Sequence, residues 1–256
     1  MKTLIRIVLM VPILAALLLL VLAGYNQPWT GFGLQNGEFI HKKTLWDWLD
    51  LLIVPLVLAI GAFLLDGSRK RSEQEVESDR QKQEILDDFF AYISELLLEK
   101  NLSNSCAQSA VREVARTRTL MALRLLDGKR KAQVLQFIYE AKLIHKNPII
   151  QLNGADFRGA LLDEATLSGA ELRGVYFTGA SIRRATLVGA DLRGSDFSDV
   201  NFYGSNLRNA QLVQATLEGA DLRTSILDNT DLSDVNLNKV HMTSKQRAEL
   251  LNDTSA

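Results

Sequence analysis

Three histidines (His41, His145 and His241), one cysteine (Cys106) and a run of aspartates, serines and arginines between residues 150 and 242 are the side chains here with the capacity for chemistry. General acid–base or nucleophilic work needs such groups within hydrogen-bond reach, and zinc needs ligands at short regular spacings. The histidines are far apart, and no zinc spacing, phosphate loop or nucleophile elbow accompanies them. No histidine falls inside the uninterrupted run, where neighbouring serines and aspartates arise from abundance alone. His241, at its end, reads as a capping or exposed residue. Pairs such as Asp191 and Arg193 read as surface ion pairs. Cys106 has no internal disulfide partner and suits a reducing compartment. The reading is therefore of a non-enzyme with no catalytic residue, cofactor or metal, and the question becomes what elements present this polar surface.

The 256 residues are 47% hydrophobic and 23% charged with a net charge of −1, which makes no case for a nucleic-acid partner. The apolar share is uneven. "IVLMVPILAALLLLVLAG" and "LLIVPLVLAIGAFLL" carry no charge and predict membrane spans over about 7–23 and 45–65. Trp29, Trp46 and Trp48, with Tyr25, fall in or beside the connection, where an interfacial aromatic belt would lie. Lys2 and Arg6 before the first span and Arg69–Arg71 after the second, against Lys42 and Lys43 between them, predict a hairpin with both ends cytoplasmic. A cleaved signal peptide ending at Val21-Leu22-Ala23 is the rival for the first run, and it leaves the orientation unchanged. "WTGFG" (29–33) is one residue short of a potassium-filter loop and has no room for a pore helix before it, so it reads as a glycine turn beside an interfacial tryptophan.

From Ser68 the chain turns polar. Ile85, Phe89, Ile93 and Leu96 or Leu97 then draw one helical stripe. "KNLSNS" predicts a break, Val111, Val114, Ala122 and Leu125 a second helix ended by Asp127-Gly128, and Val134, Phe137, Ile138 and Ala141 a third that stops before Pro148. Arg112, Arg116, Arg118, Arg124 and Lys129–Lys131 make this part basic, as solvated helix faces or as contacts to anionic lipid.

"ADLRGSDFSDVNFYGSNLRN" (190–209) then raises a problem of period. A large apolar residue stands at every fifth position: Phe157, Leu162, Leu167, Leu172, Phe177, Ile182, Leu187, Leu192, Phe197, Phe202, Leu207, Leu212, Leu217, Leu222, Leu227, Leu232 and Leu237. Two residues before each stands a small or β-branched one. Five fits neither a helix nor a strand. Two places apart in extended chain is the same side, so each pair points inward if the chain turns a corner after every unit, and four corners close a square. This predicts a structural core of stacked twenty-residue coils, with Phe157, Phe177 and Phe197 aligned vertically and small residues, such as Gly159 and Gly179, at the corners. Open ends need covers. The third helix with "NPIIQL" is the expected upper cover. "TSKQRAELL", with a capping-box pattern from Thr243 to Gln246, is the lower one, laying Leu250 and Leu251 over the last coil.

The repeated "GADLRG", "GAELRG" and "GADLRT" resemble the A(D/N)Lxx pattern of pentapeptide-repeat proteins over roughly residues 150 to 242. "WTGFG", "KTLWDWLDLLIVPLVLAIGAFL" and "ARTRTLMALRLLDGKRKAQVLQFIYEAKLI" resemble the N-terminal unit of bacterial, especially cyanobacterial, membrane-anchored members. The resemblance implies a right-handed quadrilateral parallel β-helix. The expected architecture is a transmembrane hairpin (1–67), an α-helical connector (68–147), a mainly β repeat domain (148–242) and a capping helix with tail (243–256), in a bacterial inner or thylakoid membrane. The expected function is a non-enzymatic, membrane-tethered scaffold, its partners the lipid bilayer, an unidentified cytoplasmic protein and, by stacking at the rod ends, a second copy. The alternative is a DNA-mimicking gyrase ligand, as in the gyrase-protecting members. That alternative needs a persistently acidic rod, whereas about twelve acids are interleaved with about eight bases here.

Overall fold

The computed structural model describes residues 45–253, with side chains described chiefly from 73 to 248. The expected first span and Trp29 lie outside the described residues, as do the side chains of Trp46 and Trp48. The second expected span falls on α1 (Leu45–Leu98), most of whose side chains over 45–65 are likewise outside the described set. Among the described residues no helix is long and apolar enough to cross a membrane. α1 runs without a break from the second apolar run into the polar stretch that follows residue 67. Glu, Gln, Lys and Arg are good helix formers, and Arg80–Glu84, Gln81–Glu77 and Gln83–Asp87 bond one turn apart along the polar stretch.

The chain divides into two compact units, Met1–Glu75 and Val76–Ala256. The second holds the helical connector and the repeat. Within it α1 buries Leu86, Phe89, Ile93 and Leu96. After a 3₁₀ turn at Leu102–Asn104, α2 (Ala110–Leu125) buries Ala115, Thr119, Ala122 and Leu123. Val114 and Leu125, expected on that inner face, are 41% and 59% exposed. Small residues at 115, 119 and 122 allow close approach, and the Thr119 hydroxyl donates to Ala115 O at 2.8 Å, so the helix is turned from where its largest apolar residues point.

α2 ends at Leu125, just before Asp127-Gly128 as expected, and the same pair also starts the next helix. Asp127 is the N-cap of α3 (Gly128–Glu140), its side chain accepting from Arg130 N. α3 ends at Glu140, well short of Pro148, because Lys142 turns left-handed (φ 59°) and Leu143 N donates back to Ile138 O. Arg130 and Lys131 are buried, so part of the expected solvated or lipid-facing basic run points into the protein.

Beyond Leu152 the chain forms the coil. Parallel bridges link one residue in every five to the one twenty positions on, as in Leu161–Ser181–Asn201–Asp221–His241. Phe157, Phe177 and Phe197 stack, with ring centroids 5.4 and 5.1 Å apart. The large apolar positions from Phe157 to Leu222 are all buried, while Leu227, Leu232 and Leu237, in the last coil, are only partly so. Inward polar residues are satisfied: Ser195 Oγ donates to Leu172 O at 2.6 Å and Ser205 Oγ to Ile182 O at 2.5 Å.

The corners differ from expectation in one respect. Each corner residue from 154 to 234 has φ between 53° and 78°, and many are not small: Glu164, Arg184, Asp199, Asn209, Gln214, Thr224, Asn229 and Asp234 hold the left-handed conformation too. The corner needs that backbone, not a small side chain, since the side chain points to water. The preceding polar residue helps set the turn. Asp156, Asp191, Asp196, Asn201, Asn206, Asp221, Asp231 and Asn236 each accept from the backbone N–H two residues on.

Both covers bond to the coil. Leu161 N donates to Gly128 O and Glu171 N to Ile144 O; Ile144, Ile150 and Leu152 are buried. At the other end α4 (Ser244–Asp253) begins with the expected reciprocal cap: Gln246 N donates to Thr243 Oγ1 (3.2 Å) and Thr243 N to Gln246 Oε1 (2.9 Å). The Gln246 amide also donates to Leu222 O and Ser225 O. The side chains of Leu250 and Leu251 lie outside the described residues.

Candidate interaction surfaces

The twenty-residue register turns the outward residues into vertical columns, one step of about 4.8 Å per coil. Taking faces by their first buried residue, the Phe157 face carries Asp156, Tyr176, Asp196 and Thr216. The Leu162 face carries Leu161, Ser181, Asn201, Asp221 and His241, with Asp163, Arg183, Tyr203 and Arg223 beside them. The Leu167 face carries Thr166, Thr186, Asn206 and Ile226, and the Leu172 face Glu171, Asp191, Gln211 and Asp231.

Most of this charge is spent inside the protein. Arg158 grips Asp156 through Nε (2.9 Å) and Nη2 (2.8 Å), and buried Lys131 reaches the same carboxylate at 3.2 Å. The Arg158 guanidinium, with Lys131, holds the Asp156 carboxyl far below the usual range against the opposing effect of burial. Asp191, read from sequence as surface, is 8% exposed. Burial pushes its carboxyl up, but Arg193, and Arg173 at 2.8 Å, outweigh that and hold it below the ordinary value. Burial pushes the Glu171 carboxyl up, and the Asp191 charge below it adds to the shift. Glu164–Arg184, Arg208–Asp228, Lys239–Glu218 and Arg223–Asp221 pair off further acids.

On the Leu162 face the pattern breaks. Asp163 accepts from Ser181 Oγ and Arg183 N, and the Arg183 guanidinium has no partner among the described residues. One coil on, in the same column, Tyr203 is 44% exposed, and one coil further stands Arg223, whose guanidinium is on Asp221 at 2.9 Å. His241 is exposed at the foot of this face. Nothing in the sequence singled out Tyr203; the column register that places it between two arginines was the available signal. Among the described residues no group of three or more histidine, cysteine, aspartate or glutamate side chains is placed to hold a metal ion.

A second feature lies in the connector, where α1 and α2 leave an apolar groove of about 190 Å³ floored by Phe89 and Ala122.

Residues 150–243 match the family model for pentapeptide repeats, with eight copies. This stretch is a pentapeptide-repeat array. Similar solved structures include the pentapeptide-repeat protein Rfr23 from the cyanobacterium Cyanothece 51142, which is 23% identical over 38% of this chain and 62% of that one, with a TM-score of 0.31. The chain thus spans about six tenths of that relative's length. The pentapeptide-repeat protein alr5209 from Nostoc Pcc 7120 is 28% identical over 44% and 85%, with a TM-score of 0.35. QnrB1, a plasmid-mediated fluoroquinolone resistance protein, is 18% identical over 40% and 73%, with a TM-score of 0.17. A comparison with curated proteins gave no match.

Proposed function

We propose that the chain is a non-enzymatic, membrane-tethered scaffold that offers the Leu162 face of its pentapeptide-repeat array to a cytoplasmic protein. The tether rests on the two apolar runs at about 7–23 and 45–65 and on the distribution of lysine and arginine around them. The binding face rests on one observation. The Arg183–Tyr203–Arg223 column presents an exposed aromatic between two guanidinium groups on a rigid backbone, the residue types that dominate binding energy at protein interfaces. Rigidity matters because side chains fixed at coil spacing lose little entropy on binding.

Incorporating a photo-crosslinking residue at Tyr203 of the full chain in its membrane should capture a protein partner, and a probe at Thr166 on the next face should not. Capture that is equal at both positions, or lost at neither on changing Arg183 to Ala, contradicts the assignment of this face. The gyrase-ligand alternative is weakened by the pairing. Asp156, Glu164, Asp191, Glu218, Asp221 and Asp228, half of the array's roughly twelve acids, are neutralised by arginine or lysine and do not imitate a run of phosphates.

A further inference from the structure

A cavity of about 270 Å³ is lined by the first two turns of α2 and by the segment 147–151 that leads into the array. Its charged residues are Arg112, Glu113 and Arg116, and the segment adds Asn147 and Gln151. The lining is held from behind. Ile149 N and Ile150 N both donate to Leu143 O, at 2.8 and 3.0 Å. Arg112 donates from Nε to Ser105 Oγ (3.0 Å) and from Nη2 to Ser105 O (2.6 Å), and Arg116 donates from Nη2 to Asn153 O (3.1 Å). These anchors are neutral. Arg158, Arg173, Arg193 and Arg223 of the array each rest on an aspartate, whereas neither Arg112 nor Arg116 has a carboxylate partner among the described residues. The two stand one turn apart on the same face of α2, so like charges are held side by side, which costs stability unless an anion answers them. Glu113 does not answer them: it is exposed and makes no ion pair among the described residues.

We propose that this cavity binds a phosphate monoester through Arg112 and Arg116. Among the described residues, Nη1 of Arg112 and Nε and Nη1 of Arg116 have no acceptor, so each guanidinium keeps N–H groups for a ligand. Planar guanidinium forks match phosphate oxygens, and a tetrahedral group gives separate oxygens to two forks where a carboxylate has only two oxygens to share. The side-chain amides of Asn147 and Gln151, likewise unbonded among the described residues, can donate to what remains. Because both arginines are already fixed by backbone or hydroxyl oxygens, little side-chain freedom is lost on binding. The Arg116 bond to Asn153 O also places the ligand at the join between connector and array, away from the Leu162 face. The same phosphate chemistry occurs on small phosphorylated molecules and on a phosphatidic acid headgroup.

The test is the thermal midpoint of the full chain in a maltoside detergent, titrated with inorganic phosphate at constant ionic strength against chloride. The midpoint should rise saturably, since a ligand of the folded state stabilises it. Arg112→Gln and Arg116→Gln should each weaken the phosphate affinity by about tenfold or more. Glu113→Gln, at an exposed position, should tighten it by about two- to threefold because it removes a repelling charge, and impaired folding cannot produce a gain. Short-chain phosphatidic acid, titrated against the matching phosphatidylcholine, identifies the source: a response that depends on Arg116 and exceeds that to inorganic phosphate supports the site with a lipid headgroup as its ligand. A midpoint that rises no more with phosphate than with chloride, together with no Arg116-dependent response to phosphatidic acid, overturns the proposal. So does an affinity unchanged by Arg112→Gln and Arg116→Gln, or one that falls with Glu113→Gln.

Discussion

Gly128 shows how little room the join between connector and array leaves. A Cβ on it would lie 2.0 Å from Gly159 O and 3.0 Å from Gly159 C, both backbone atoms that no rotamer change can move. Gly128→Ala should therefore destabilise the chain by about 2 kcal/mol or more, read as a lower thermal midpoint. Asp156 makes the neighbouring contact. Asp156→Asn removes the charge that Lys131 is buried against, at an expected cost of about 1–3 kcal/mol by chemical denaturation. Its pH dependence has a definite sign. Asp127, Asp156, Asp191, Asp196, Asp221 and Asp231 all have lowered carboxyl pKa values in the folded protein. Their stabilisation is present above the ordinary carboxylate value near 4 and is lost as pH falls through their lower folded values. Glu171 is shifted the other way, so its charged form costs stability at neutral pH. Glu171→Gln should hold or raise the thermal midpoint at pH 7, with the gain disappearing in acid; a fall at pH 7 contradicts the assignment. The aspartates were visible in the sequence as charge, but not as turn-setting acceptors, because the bond to the N–H two residues on exists only once the corner is formed.

At the scale of elements, the core stack and the covers carry the fold. Phe177 lies between Phe157 and Phe197 with both rings stacked on it, so Phe177→Ala should cost about 3–5 kcal/mol. Leu237→Ala, in the partly open last coil, should cost less, and equal losses at the two sites would argue against the burial gradient. The coil could be read from spacing alone because five-residue period, inward pairs and corners are one geometric constraint. The Thr243–Gln246 cap was legible for a similar reason, being a local pattern. The connector was less so. The inner face of α2 is made of Ala115, Thr119 and Ala122, and a count of large apolar residues points to Val114 and Leu125 instead. Asp127-Gly128 was legible as the stop of α2, but its second role, Asp127 capping α3 by accepting from Arg130 N, shows only once the next helix is formed.

For the whole molecule the account rests on the twenty-residue rise. It makes the outer surface a set of columns, and it alone places Arg183, Tyr203 and Arg223 in line and brings Glu164 onto Arg184. The Leu162 face offers the longest continuous column, from Leu161 through Ser181, Asn201 and Asp221 to His241. Spin labels at Leu161 and His241, in a Cys106→Ser background, measure that column directly by pulsed dipolar spectroscopy. Four coil steps predict a single narrow distance of about 20 Å, with the label arms adding several ångströms of spread. A broad distribution, or one centred beyond about 30 Å, would contradict a coil that returns to the same face every twenty residues.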